Sequence, residues 1–299
     1  RLPPSLPYSQ PGGAYAEVGA VTKALVFSAW HFVPDAIAAL CSYGAERRMV
    51  REFRQDISRS QLYDKVKPLL RFQKKENRLT GMPVLAWLMP FPTLAGLIDP
   101  LAIALRMGPG KPLEVEQLLA AAEQQCQHLL QGLPVGEPGH RPDERWYWAA
   151  PALLESSSRL RQWCANEQNW STNEADREDG VYFREHLEQL LSTMAGELVL
   201  GPRPPDLARV MAKLALAGPG TCALRALRRV APDLSWDDDA LLTAAFHIAQ
   251  GFRTLFNLPE SICLLRGDGD NSYWRLTLRY ALEGNLQAVL DEQVHILLD

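Results

Sequence analysis

Apolar residues recur at helical spacing along most of this chain and cluster as strand-like runs in only two short places. Leu113 to Leu130 carries a stripe at Val115, Leu118, Leu119, Ala122, Cys126, Leu129 and Leu130, which predicts an amphipathic helix. Val181 to Leu198 repeats the pattern through Phe183, Leu187, Leu190, Leu191 and Met194. Asp206 to Leu216, Thr221 to Val230 and Asp237 to Phe256 continue it. Ser235 is placed to cap the last of these, ahead of the acidic first turn Asp237-Asp238-Asp239. Arg145 to Trp163 reads as a helix with a late start or a kink at Pro151, and Tyr273 to Leu298 as a long helix weakened at Gly284. Thr93 to Met107 is apolar and interrupted by Pro100. The Pro- and Gly-rich LPVGEPGHRPD (Leu133 to Asp143) and the polar Asn166 to Gly180 read as loops.

The two strand-like runs are Ala24-Leu25-Val26-Phe27 and Val84-Leu85-Ala86-Trp87-Leu88-Met89, the second stopped by Pro90 and Pro92. After the first, Ser28 to Val33 reads as a turn. Pro34 suits the start of a helix, and Ile37, Leu40, Cys41, Gly44 and Ala45 carry that helix to about Arg54. Gln61 to Phe72 reads as a second, more polar helix. The expected fold is therefore mainly α: a multi-helix domain with a small α/β portion near the N-terminus. The expected segments are an extended Pro/Gly arm over 1–20, the α/β segment over 21–105 and an all-helical domain over 106–299.

Charge changes this picture more than composition does. Apolar residues at 47% and charged residues at 22% are ordinary for a globular chain, but the net charge of −4 is unevenly placed. Glu46 to Arg78 holds eleven Lys/Arg against five Asp/Glu, an excess of six, which leaves the remainder at −10. Such a segment is either a surface for an anionic partner or the solvated face of a helix. Five cysteines lie no closer than 38 residues apart and form no C-x-x-C, so neither a disulfide framework nor a zinc knuckle is implied, and a cytoplasmic location is expected. No apolar run is long enough for a membrane span, and RLPPSLPYSQPGG lacks the architecture of an export signal. The first residue is Arg rather than Met, as in a cut-out segment or a processed end.

Residues 23–49, KALVFSAWHFVPDAIAALCSYGAERRM, resemble the first strand and helix of the second motor lobe of superfamily-2 helicases, nearest the Swi/Snf-like branch. There a K-x-L-V-F-S strand opens the RecA-like lobe. RLPPSLPYSQPGG, VLAWLMPFPTLAGLIDPL and GNLQAVLDEQVHILLD resemble a bacterial helicase-related family associated with phage defence, in which a helical segment interrupts that lobe. The resemblance implies part of an ATP-dependent DNA helicase or translocase, made of a partial second lobe and a helical insertion. It implies ATP and Mg²⁺ in the parent protein and no cofactor in this chain. The implied partners are DNA, the remainder of the motor protein and defence-system proteins, with no membrane. In such motors the turn after the first lobe-two strand lies near the nucleic-acid backbone, which by resemblance places Ser28 and Trp30 there.

The chain's own chemistry is sparse. The only Gly-Lys, Gly110-Lys111, is followed by Pro112 where a phosphate loop needs Ser or Thr, and Leu105 stands where its first Gly belongs. No autonomous ATPase is expected, and no catalytic residue is assigned. Ala288 to His295 imitates an Asp-Glu magnesium box, but Leu286, Val289, Leu290, Gln293, Val294 and Leu297 recur at helical spacing. Gly267 to Ser272 has the flavour of a calcium loop, yet Tyr273 and Arg279 occupy positions where Gly and Glu are required. The six histidines never fall at metal-ligand spacing, so no metal site is expected. Trp146 and Trp148 beside Arg141 and Arg145 are core anchors or, less simply, base-stacking platforms. The expected nucleic-acid-binding set is Ser28, Trp30, Arg47, Arg48, Lys74 and Lys75. The competing readings are a stand-alone helical protein-interaction module without motor chemistry and a hydrolase whose residues converge only in three dimensions.

Overall fold

The computed structural model describes residues 30, 32–53, 66–76, 78–108, 110, 113–155, 157–166, 177–265 and 272–293, without side chains at 45–53 and 177–181. The chain divides into two units, Arg1–Arg59 and Ser60–Asp299. The described part of the first unit is helix α1, Phe32–Phe53, with Pro34 and Asp35 in its first turn, where a missing N–H costs nothing and a carboxylate meets the helix dipole. The exposed rings of Trp30 and Phe32 lie 6.0 Å apart at its start. The expected strand Ala24 to Phe27 and its sheet edge lie outside the described residues.

The second unit is helical apart from a two-stranded antiparallel ribbon, β1 (Lys74–Lys75) and β2 (Arg78–Leu79). The mainly α expectation is met. Val84 to Met89, however, is not a strand. It belongs to α2, Met82–Leu88, whose amides bond four residues back: Leu85 N to Gly81 O at 3.0 Å and Met89 N to Leu85 O at 2.9 Å. A run buried on every side has no visible period, so apolar character alone cannot tell a buried helix from a buried strand. Pro83 in the first turn was the available cue. Residues 66–72, expected to continue a polar helix, are not helical. Pro68 bars it, and Lys67 before it is steered to extended backbone.

The remaining helices are α3 (Pro92–Leu97), α4 (Pro100–Met107), α5 (Val115–Gln131), α6 (Trp146–Leu154), α7 (Ser158–Ala165) and α8 (Arg177–Met194). They are followed by α9 (Leu207–Ala217), α10 (Pro219–Val230), α11 (Asp239–Phe256), α12 (Pro259–Leu265), α13 (Tyr273–Glu283) and α14 (Leu286–Gln293). Residues 82–107 pack in the same unit as the later helices, with α2 on α6 and α10, and α4 on α5. Two expected long helices are each broken in two. Ser157 ends one break by accepting Leu160 N at 3.2 Å, and Asn285, at φ 51°, marks the other just after Gly284. The cap of α11 is Asp238, which accepts Ala240 N at 3.0 Å, and not Ser235, which stands in the preceding turn. Among the described residues no single helix is long and apolar enough to cross a membrane.

Helix α10 is the axis of the unit. It packs against α2, α3, α9, α11 and α14, and every residue from Pro219 to Leu227 is buried. Gly220 lets its first turn touch the end of α2, because a Cβ there would stand 2.0 Å from Leu88 O. Arg225 on this helix is fully enclosed and ties neighbouring elements together. Its Nε donates to Ala95 O at 3.0 Å, its Nη2 to Ile98 O and Ala215 O at 2.8 Å each, and its Nη1 to Gln287 Oε1. Ala95 and Ala215 lie in the last turns of α3 and α9, so one guanidinium satisfies carbonyls that helix ends leave open. Arg203 does the same for the end of α5, donating to Leu130 O, Leu133 O and Pro134 O at 2.7–2.8 Å. Four of the five cysteine thiols, those of Cys126, Cys164, Cys222 and Cys263, are buried in this packing, and Cys41 is exposed.

Candidate nucleic-acid interface

The basic ribbon stands on a built base. The segment leading into it is clamped by α11: Asn257 Oδ1 accepts Leu69 N at 3.1 Å and Leu70 N at 2.8 Å, and Arg253 Nε donates to Leu70 O at 2.8 Å. Phe72 is buried edge-on against Phe183, 4.9 Å between ring centres, and beneath the Arg253 guanidinium. Leaving the ribbon, Gly81 N donates to His186 Nε2 at 3.1 Å. His186 Nδ1 lies 2.6 Å from Tyr182 O, which assigns the proton to Nδ1 and leaves Nε2 as the acceptor. A Cβ on Gly81 would stand 2.6 Å from Arg71 O, so only glycine fits this foot.

What the base holds out is cationic. The register pairs Lys74 with Leu79 and Lys75 with Arg78, and Glu76 takes φ 47° at the turn. Lys75 and Arg78 are exposed and directly opposed, and neither has a hydrogen-bond or ion-pair partner among the described residues. Like charges in that position are destabilising by roughly 0.2–1 kcal/mol, and a bound phosphate would relieve the repulsion. Lys74 is engaged instead: its Nζ lies 2.7 Å from Glu185 Oε2 in an exposed pair.

The expected set is thus only partly brought together. Lys74 and Lys75 share the ribbon, in the second unit. Trp30 is exposed in the first unit, and Arg47 and Arg48 lie on α1 with their side chains outside the described set. Ser28 and Lys111 also lie outside the described residues, as does the Gly267 to Asn271 stretch. Arg78 was missed as a site residue although it closes the basic segment. Its alternation with Leu79 and the Glu76-Asn77 turn were the available signals.

No family model, curated protein or solved structure matches the chain. The remaining motifs are accounted for by their surroundings. Asp291 lies on α14 and pairs with Arg229, which also reaches Asp99 at 2.6 Å, so the Asp-Glu pair sits on a helix and its Asp belongs to an ion-pair network. That setting does not fit a magnesium box. Trp146 and Trp148 are core residues and no stacking platform: both are buried, and Trp146 Nε1 donates to Gly201 O at 2.8 Å. Among the described residues no group of three or more His, Cys, Asp or Glu is placed to hold a metal ion.

A cleft of about 840 Å³ between α3, α7 and the loop before α11 holds two carboxyls shifted in opposite directions. Burial pushes Glu155 up to about 7, against hydrogen bonds from Thr93, while the Ser157 hydroxyl holds Asp237 below its ordinary value. Both oxygens of Glu155 are occupied, by Thr93 N and Thr93 Oγ1 at 2.9 Å each. Thr93 is in the first turn of α3, so Glu155 serves as a tertiary cap for an open helix end.

Proposed function

We propose that this chain is the DNA-engaging segment of an ATP-dependent helicase or translocase of superfamily 2, part of a second motor lobe joined to a helical insertion, in a phage-defence setting. The observation that carries the reading is the pair of opposed cations Lys75 and Arg78, without a hydrogen-bond or ion-pair partner among the described residues, on a ribbon anchored at both feet. The resemblance of residues 23–49 to a lobe-two strand and helix supports it from the sequence side. ATP and Mg²⁺ belong to the remainder of the motor, since neither Gly110-Lys111 nor Asp291-Glu292 fits a nucleotide or metal site. The contacts are to phosphate and carry no base readout.

The experiment is a salt titration of duplex binding. Lys75→Ala/Arg78→Ala is expected to flatten the log–log salt slope by about 2, at roughly 0.9 per phosphate neutralised. The variant Arg47→Ala/Arg48→Ala/Lys74→Ala/Lys75→Ala tests the wider set. An unchanged slope and affinity in both would reject the reading. One observation favours the second reading, a helical protein-interaction module: residues 84–89 form a helix of a unit with its own core, where a motor lobe would be expected to add a strand. DNA binding absent from the intact chain would favour the module.

A further inference from the structure

Two packed helices of the second unit turn like charges into one cleft. Arg209 and Lys213 are four residues apart on α9, and Arg275 and Arg279 are four apart on α13, which packs against α9. That spacing places each pair on one face of its helix. All four line a cleft of about 180 Å³ with Val210, Leu276, Leu278 and one carboxylate, Asp206.

The arginines are held by carboxylates. Arg209 pairs with Glu116 and, at 3.2 Å, with Glu123; Arg275 pairs with Asp206 at 2.9 Å; Arg279 lies 3.8 Å from Glu283 of its own helix. Asp206 is in turn fixed by the Tyr147 hydroxyl at 2.5 Å. Lys213 is the exception, with no hydrogen bond or ion pair among the described residues. Its ammonium is held below its ordinary pKa by burial and then by Arg209 and Arg275, against Glu116.

We propose that this cleft binds a small phosphate-bearing anion, met by the Lys213 ammonium and flanked by Arg209, Arg275 and Arg279. An ammonium is a compact point charge suited to phosphate, and the carboxylate pairs hold the guanidinium groups in place before the ligand arrives. The volume admits a phosphoryl or pyrophosphoryl group and is below the roughly 300–1,000 Å³ of a pocket that encloses a whole drug-sized ligand. The site is separate from the ribbon, because none of its residues is shared with it.

The test is calorimetric titration of the intact chain with inorganic pyrophosphate and with phosphate. Wild type is expected to bind pyrophosphate and to melt higher in its presence. Lys213→Met is expected to bind roughly tenfold or more weakly, as for loss of one charge-assisted hydrogen bond, while melting no lower than wild type without the anion. Arg279→Gln is expected to weaken binding as well, and Lys75→Ala/Arg78→Ala to leave it unchanged. No heat and no melting shift with millimolar pyrophosphate would overturn the proposal, as would equal affinity in Lys213→Met. A short duplex that displaces pyrophosphate from wild type would also overturn it, because the cleft would then be taking the nucleic-acid backbone.

Discussion

Glu155 shows how a residue unremarkable in sequence acquires a titration of its own. Its ordinary value is 4.5, and burial lifts it to about 7. Between those values the folded chain holds a proton that the unfolded chain has released, so stability falls as pH rises from about 4.5 to about 7 and is level above. At about 1.4 kcal/mol per unit the full effect is at most roughly 3–4 kcal/mol. Glu155→Gln mimics the protonated form and is expected to remove the slope, differing little from wild type at about pH 5 and unfolding at higher urea than wild type at about pH 8. Urea unfolding of both proteins across that range measures it, and parallel curves would refute the assignment. None of this was readable beforehand, since Glu155 falls inside a stretch whose pattern reads as continuous helix. The cations were partly readable: the excess over Glu46 to Arg78 pointed to the ribbon, whereas Arg209, Lys213, Arg275 and Arg279 lie in the acidic remainder and are joined only by the packing of α9 on α13.

At the scale of elements, the sequence was most informative where a helix has one wet face. The stripes of α5, α8, α9 and α11 were all visible, and the Glu114–Gln117 capping box closes α5 where the pattern starts. It was least informative where an element is dry all round, as in α2. The breaks at Ser157 and Asn285 within expected helices were also hidden, and so were the helix ends satisfied by distant partners: Glu155 for α3, Arg225 for α3 and α9, and Arg203 for α5. Arg225 gives the sharpest test. Arg225→Met keeps the apolar stem and strips the donors from Ala95 O, Ile98 O and Ala215 O, and is expected to cost about 3–5 kcal/mol in denaturant unfolding. Arg225→Lys is expected to recover little, because one ammonium cannot span the fork. A loss below about 1 kcal/mol for Met would show that the helix ends are satisfied in another way.

Across the whole molecule, the two units carry different parts of the functional reading. The first holds the lobe-two resemblance and α1; the second holds the basic ribbon, the anion cleft and the core. The pattern sets the start of an all-helical domain near residue 106, and the compact unit that contains those helices spans Ser60–Asp299, with α2 and α3 buried in its core. The buried thiols of that core have a kinetic consequence. Burial raises the pKa of Cys126, Cys164, Cys222 and Cys263, so thiolate is scarce at neutral pH and a disulfide reagent reaches these sulfurs only through an opening of the helices. With a colorimetric reagent, Cys41 is expected to react at once and the other four slowly, at a rate that follows unfolding. Five equally fast thiols would mean that the core breathes freely. The thiols thus form a built-in clock, against which the loss of Arg225 or the filling of the anion cleft can be timed without adding a probe.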